Sequence, residues 1–119
     1  MPTNNHINYV EFPAHDLAAT KAFFSTVFGW QFQDYGPDYT CVMGQGIDGG
    51  FYKSDLKSTY SQGGALVVIY ADDLESVEEK VKAAGGKIVQ PIFSFPGGRR
   101  FHFYEPCGNE LAVWSDKGI

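Results

Sequence analysis

Three side chains capable of acid–base or binding chemistry lie in apolar, aromatic segments of this 119-residue chain. Glu11 lies in YVEF, His102 in RFHFY and Glu110 in NELAVW. An imidazole can act as a general base near neutral pH, and a carboxylate close to aromatic faces can bind a cation. Glu11 and His102 are therefore candidate catalytic residues, and the two glutamates are candidate ligand contacts.

A structural role for the same residues is the alternative. His102 could be a buried, hydrogen-bonded imidazole. The two glutamates could pair with basic residues and only stabilise a sheet; the candidate partners are Lys53, Arg99 and Arg100. Because the two arginines follow a Pro-Gly-Gly turn, the pattern predicts a solvated loop there rather than a phosphate site.

The remaining histidines and the cysteines predict no catalytic site. His6 lies near the start of the chain and His15 in a strand-to-helix turn, so both are expected at the surface. Cys41 and Cys107 have no CxxC spacing and are expected to be free thiols in a reducing compartment. With no signal-like start and no apolar run of about 18 residues, the sequence predicts a cytoplasmic protein.

Composition and charge restrict the partners. The chain is 44% hydrophobic and 16% aromatic, with a formal net charge of −5. A negative surface disfavours nucleic acid, and some of the aromatic residues are expected to line a cavity. We therefore expect a small-molecule ligand, with no nucleic acid and no membrane as partner.

An internal repeat organises the elements that must position these residues. Residues 9–33 align with residues 66–90 at a shift of 57, and each copy has an apolar strand, an Ala-x-Asp-Leu turn, a helix and a glycine stop. Periodicity and capping predict helices over 16–28 and 73–84. Strands are predicted over 6–12, 30–35, 39–43 and 47–53, and over 64–70, 87–93, 100–105 and 110–115.

Two segments carry a resemblance to a known family. Asp16-Leu17 followed by a helix with Phe23-Phe24 and then VFGW, together with the closing segment FYEPCGNEL, resembles the vicinal-oxygen-chelate superfamily, the glyoxalase/bleomycin resistance protein/dioxygenase family. The resemblance implies an α+β fold in which two tandem βαβββ modules form a cup-shaped mixed sheet. It implies one domain over 1–119, with module one at 6–55 and module two at 63–117, and a homodimer.

The same resemblance implies four positions where many family members hold a metal. They align with Tyr9, Phe51, Leu66 and Ala112, of which Tyr9 alone offers an oxygen, and a weak one. Hard or borderline divalent ions need the oxygens and nitrogens of His, Asp, Glu or Gln side chains. A slip of two residues would bring in Glu11 and Glu110. We otherwise expect no metal and no cofactor.

Strand alternation predicts which side chains line the cup. The expected ligand-binding set is Tyr9, Glu11, Phe51, Lys53, Leu66, Val68, Glu110, Ala112 and Trp114. The favoured function is a metal-independent protein that binds a small aromatic or cationic molecule. The alternatives are a superfamily enzyme (lyase, isomerase or dioxygenase) using Glu11 or His102 as acid/base, with an atypical metal site if any, and a regulatory domain whose cup is filled by its own side chains.

Overall fold

The computed structural model describes residues 2–44 and 46–118. A strand, a helix and three further strands occur in this order twice along the chain. The elements are β1 Tyr9–Ala14, α1 Leu17–Phe28, β2 Gln31–Asp34, β3 Tyr39–Met43, β4 Asp48–Lys53, a 3₁₀ turn Tyr60–Gln62, β5 Val67–Tyr70, α2 Leu74–Ala83, β6 Lys87–Phe95, β7 Gly98–Tyr104 and β8 Glu110–Ser115. The predicted α+β fold of two βαβββ modules is confirmed.

Each module forms its own four-stranded sheet. The strand orders are β1-β4-β3-β2 and β5-β8-β7-β6. In each sheet the first and fourth strands of the module pair in parallel, and the other neighbours are antiparallel. β1 and β2 are therefore the edges of one sheet, and β5 and β6 are the edges of the other.

Capping residues determine where both helices begin and where α1 ends. The Asp16 carboxylate accepts a hydrogen bond from the Ala19 amide at 3.1 Å, and Asp73 caps α2 in the same way through Ser76. Gly29 ends α1 with φ 71°, a left-handed conformation that favours glycine. These caps explain why both helices begin and end within one residue of the predicted bounds.

The hairpin between β6 and β7 is longer than predicted. β6 continues to Phe95 and β7 starts at Gly98, so the turn tightens around Gly97, whose φ is 106°. Arg99 and Arg100 pair with Ser115 and Trp114 of β8. The prediction that these arginines lie in a solvated loop is therefore wrong, since the tight turn leaves both residues in the strand ladder.

Helix α1 joins the two modules through a core of aromatic rings. The Phe24 ring lies 5.5 Å from Phe51 of module one, and the Phe23 ring lies 5.8 Å from Phe103 of module two. Burying each such ring contributes about 2–3 kcal/mol. The side of each sheet turned away from the helices is called its open face below.

The pairing register of β4 changes the face on which two predicted site residues lie. Glu11 pairs with Gly50, whereas Phe51 pairs with Phe12 and its ring stacks on Phe12 at 5.4 Å, on the helix side. Lys53 lies two residues further along the same side of β4. The predicted placement of Phe51 and Lys53 in the cup is wrong, because an alignment error of one residue moves every side chain of a strand to the opposite face.

Neither helix in the described part of the chain has the length and apolar run that a membrane crossing needs.

Candidate functional site

The positions that the family resemblance assigns to a metal do not fit one here. β5 pairs Val68 with Ala112, and β1 pairs Glu11 with Gly50, so Gly50 rather than Phe51 is the counterpart of Ala112. The four positions are then Tyr9, Gly50, Leu66 and Ala112, which supply one phenol and no carboxylate, imidazole or thiolate. Within residues 2–44 and 46–118 no group of three or more His, Cys, Asp or Glu side chains could hold an ion.

The open face of module one instead carries a hydrogen-bonded group, the tyrosine–glutamate cluster of Tyr9, Glu11, Tyr39 and Cys41. The Tyr39 hydroxyl donates to Glu11 Oε2 at 2.9 Å. The Tyr9 and Tyr39 hydroxyl oxygens are 2.5 Å apart, and Cys41 Sγ lies 3.4 Å from the Tyr9 hydroxyl. Because the proton of Tyr39 is committed to Glu11, Tyr9 must donate to Tyr39 and the Cys41 thiol to Tyr9.

Burial and neighbouring groups keep the two phenols of this cluster neutral. Loss of solvent raises the pKa of Tyr9, and its contacts with Cys41 and Tyr39 raise it further. Loss of solvent also raises the pKa of Tyr39, with a further rise from Glu11. The cluster is therefore a chain of donors that ends on one exposed carboxylate.

Gly50 creates the space for this cluster. A Cβ atom at Gly50 would lie 2.7 Å from the Tyr9 hydroxyl and closer still to the Tyr39 hydroxyl. Glycine at the position equivalent to Ala112 therefore admits the two phenols over the middle of the sheet. This requirement is invisible in the sequence until the β1–β4 register is known.

The open face of module two holds a buried pair, His102 and Glu110. The side chains are 0% and 3% exposed, and His102 Nδ1 lies 2.9 Å from Glu110 Oε2. Glu110 Oε1 accepts from the Tyr60 amide at 3.1 Å. A carboxylate at Nδ1 holds the proton there and leaves Nε2 as an acceptor, and no partner for Nε2 is found among the described residues.

The segment 54–64 covers this pair and is called the linker strap below. The Ser58 amide donates to the Asn109 side chain at 2.9 Å, and the Ser58 carbonyl accepts from the Glu110 amide at 2.8 Å. The Tyr60 ring lies 5.5 Å from the His102 ring, and Phe93 lies 5.9 Å from the same ring. The His102 imidazole is thus enclosed by two aromatic rings and covered by the linker strap.

The structure divides the predicted site residues between the two open faces. Tyr9 and Glu11 lie together in module one, whereas Glu110, Ala112 and Trp114 lie in module two with Val68. In the described chain neither glutamate pairs with Lys53, Arg99 or Arg100, since Glu110 binds His102 and Arg99 binds Glu75. The ion pairs considered from the sequence are therefore replaced by other contacts.

A large apolar cavity lies at the free edges of the two sheets. This edge cavity has a volume of about 820 Å³ and contains Leu66 and Val68 from the predicted set, and also Phe51. Its other walls include Val10, Phe12, Phe28 and Trp30, which come from the helix side of module one. The edge cavity therefore contains neither the tyrosine–glutamate cluster nor the His102–Glu110 pair.

Sequence reasoning missed Tyr39, Cys41 and Tyr60. The alternation Tyr39-x-Cys41 in a short predicted strand was a usable signal, because both residues must share one face. Tyr60 gave no such signal, since it lies in a polar linker whose fold depends on contacts with β8.

Comparisons with known proteins agree with this architecture. A family model described as the Glyoxalase/Bleomycin resistance protein/Dioxygenase superfamily matches residues 6–113. CFP32 of Mycobacterium bovis, a protein whose name marks it as a candidate glyoxylase, is 26% identical over 125 residues. That alignment covers 90% of this chain and 44% of CFP32, so the chain spans less than half the length of this relative.

Solved structures share the fold at low sequence identity. A mutant of the fosfomycin resistance protein FosX from Listeria monocytogenes, complexed with Mn(II) and 1S,2S-dihydroxypropylphosphonic acid, has a TM-score of 0.78 at 18% identity, over 94% of this chain and 90% of that chain. A glyoxalase-related enzyme from Fulvimarina pelagi has a TM-score of 0.76 at 16% identity, over 93% and 88% of the two chains. Likeness at this identity concerns the fold alone.

Proposed function

Because the chain belongs to the Glyoxalase/Bleomycin resistance protein/Dioxygenase superfamily, we propose that it is a metal-independent small-molecule-binding protein whose ligand contacts the open face of module one. The tyrosine–glutamate cluster is the observation that carries this proposal. It stands where the resemblance would put a metal, and its donors end on Glu11. Metal independence is supported by the residue types at Tyr9, Gly50, Leu66 and Ala112.

The chemistry of the cluster favours a cationic ligand with a planar apolar part. Glu11 is exposed and supplies a negative charge, while Tyr9, with 42% of its surface exposed, presents a ring beside it. Carboxylate and aromatic face together attract cations. The net charge of −5 adds a weak long-range attraction of the same sign.

A planar aromatic cation tests the proposal directly. Benzamidinium should bind the wild-type protein more tightly than uncharged benzamide, as measured by isothermal titration calorimetry in the presence of a chelator. Glu11→Gln should weaken benzamidinium binding by about tenfold, because a charge-assisted hydrogen bond contributes about 1.5–3 kcal/mol.

The matched control is Glu79→Gln, since Glu79 is exposed on α2 and makes a surface ion pair with Lys82. It removes the same charge and should leave the affinity unchanged. Equal affinities for benzamidinium and benzamide, or binding that disappears when the chelator is added, would contradict the proposal.

A second candidate function is acid–base catalysis by His102. The observation that favours it is the buried His102–Glu110 pair, in which Nε2 has no partner among the described residues. Such an imidazole can accept a proton from a bound substrate at Nε2 while Glu110 holds the proton on Nδ1. This reaction requires the linker strap to move, because the imidazole is fully buried.

We also propose that the protein works as a homodimer in the cytoplasm. The dimer is supported by the unpaired edges of β1 and β5 and by the apolar edge cavity between them. The location is supported by Cys41 and Cys107, both free in the described chain, as is usual in a reducing compartment.

A further inference from the structure

A second pocket on the molecule differs in charge from the tyrosine–glutamate cluster. It lies on the open face of module two, has a volume of about 240 Å³ and is lined by Val68, Phe95, Arg100 and Trp114. We call it the arginine pocket. Its walls are two aromatic rings and one aliphatic side chain, and Arg100 is the charged group among them.

Aromatic rings hold the Arg100 guanidinium in place. Its central carbon lies 5.4 Å from the centre of the Phe93 ring and 5.6 Å from that of Phe95. Cation–π attraction at these distances restrains the position of the guanidinium. Arg100 Nε is buried and has no hydrogen-bond partner in the described structure, as is also true of Arg99 Nε, so the two arginines differ in their other guanidinium contacts.

Arg99, the neighbouring arginine in β7, forms an ion pair with Glu75 and so differs from Arg100. Arg99 faces the helix side, where it donates to both carboxylate oxygens of Glu75 at 2.5 and 3.2 Å and to the Lys117 carbonyl. Within residues 2–44 and 46–118, Arg100 has no such ion pair. The positive charge of Arg100 is therefore available to a group that is not part of the described chain.

The carboxylates near this end of the sheet are engaged elsewhere. Asp72 and Asp116 lie 3.0 and 2.7 Å from the Tyr70 hydroxyl and share its single proton. Trp114 packs against Tyr70 at 5.2 Å, and a Cβ on Gly98 would lie 3.3 Å from its ring, so the indole is held close against the β6–β7 hairpin. The pocket wall is consequently formed before any ligand arrives.

We propose that the arginine pocket binds an organic anion with a planar apolar body, such as an aromatic carboxylate. The carboxylate would accept from the Arg100 fork, which matches its geometry. The ring would lie against Trp114 and Phe95. The pocket is open to solvent on one side, and its volume of about 240 Å³ leaves room for one substituted ring against these walls. This site goes beyond the proposed function, because it needs neither Glu11 nor a cation.

Benzoate is the probe that tests this site. Titration followed by two-dimensional ¹⁵N NMR should shift the Trp114 indole and Arg100 Nε–H signals. Benzoate should bind at least about tenfold more tightly than uncharged benzamide, because the charge-assisted contact is absent in the amide. Arg100→Gln should weaken benzoate binding by about the same factor.

Three further variants serve as controls. Arg99→Gln removes the same charge from the helix side and should leave benzoate affinity within about twofold. Should Arg100→Gln fail to fold, Arg100→Lys keeps the charge but loses the fork, and should still weaken binding several-fold. Glu11→Gln should leave benzoate binding unchanged, so a failure of the cation-binding proposal would not affect this result.

Three outcomes would overturn the proposal. They are equal affinities for benzoate and benzamide, an unchanged affinity in folded Arg100→Gln or Arg100→Lys, and a loss of benzoate binding in Glu11→Gln. The last would mean that the two open faces form one site instead of two of opposite charge.

Discussion

At the scale of single residues, Glu105 couples folding to pH. Its side chain is 2% exposed in the turn between β7 and β8, and one carboxylate oxygen, Oε2, has no partner in the described structure. Burial raises the pKa of Glu105 from 4.5 to about 7, although amides of the turn, first that of Asn109, oppose the rise. Between these two pKa values the Glu105 carboxyl is therefore protonated in the folded protein and ionised in the unfolded chain.

This difference predicts the sign of a pH dependence. Between about pH 4.5 and 7 the unfolded state binds fewer protons at Glu105 than the folded state, so the free energy of unfolding falls as pH rises. The contribution is about 3 kcal/mol across that interval. Glu105→Gln should flatten this part of the profile, as measured by urea unfolding at a series of pH values.

Glu79→Gln serves as control for the same series, because Glu79 is exposed on α2. It should leave the slope unchanged. A Glu105→Gln profile with the slope of the wild-type protein would show that another group is responsible.

At the scale of elements, the linker strap decides whether His102 can be reached. Its contacts with module two include the Ser58 and Tyr60 backbone hydrogen bonds, the Tyr60 ring over the imidazole and the Lys57 side chain beside Gly108. Tyr60 itself is 51% exposed, so its ring lies at the surface and encloses His102 from outside. The linker strap lies outside both sheets, so it can open without unfolding of the sheets.

Chemical modification measures this opening. In the wild-type protein, diethylpyrocarbonate should modify His102 much more slowly than the exposed His6 and His15, as resolved by peptide mass spectrometry. Tyr60→Ala should speed modification of His102 by at least about tenfold, because the ring that covers the imidazole is removed. Tyr35→Ala, which removes an exposed ring in module one, should have no effect.

The strap would have no gating role if His102 of the wild-type protein reacted as fast as His15. An equal rate in the wild-type protein and Tyr60→Ala would lead to the same conclusion.

At the scale of the whole molecule, the open sheet edges at β1 and β5 and the edge cavity predict association. Ile7 is 83% exposed and lies in the wall of this cavity, next to the start of β1. Open edges and apolar surface of this kind favour pairing with a second chain. Light scattering at micromolar concentration should therefore give twice the chain mass of 13.2 kDa.

Ile7→Glu should shift the protein towards the monomer without unfolding it, because Ile7 makes little contact within one chain. Leu56→Glu is the matched control, since Leu56 is 67% exposed but lies in the linker strap outside the cavity. A wild-type mass of one chain, or a dimer that withstands Ile7→Glu but dissociates in Leu56→Glu, would contradict an interface at this edge.

The sequence by itself determined the elements whose signals are local. Asp16 and Asp73 cap the helices, Gly29 ends α1, and strand alternation put Tyr9 and Glu11 on one face, because each effect depends on residues a few positions apart. The internal repeat then predicted two modules without any long-range information.

The tertiary structure alone decided which side chains meet. Phe51 and Gly50 exchange faces with a shift of one residue in the pairing of β1 with β4, and no local signal records that pairing. The His102–Glu110 pair and the aromatic packing of Arg100 likewise depend on the register of β6, β7 and β8. Cross-strand contacts join residues far apart in the chain, so the chemistry of the candidate sites was settled by packing rather than by neighbouring residues.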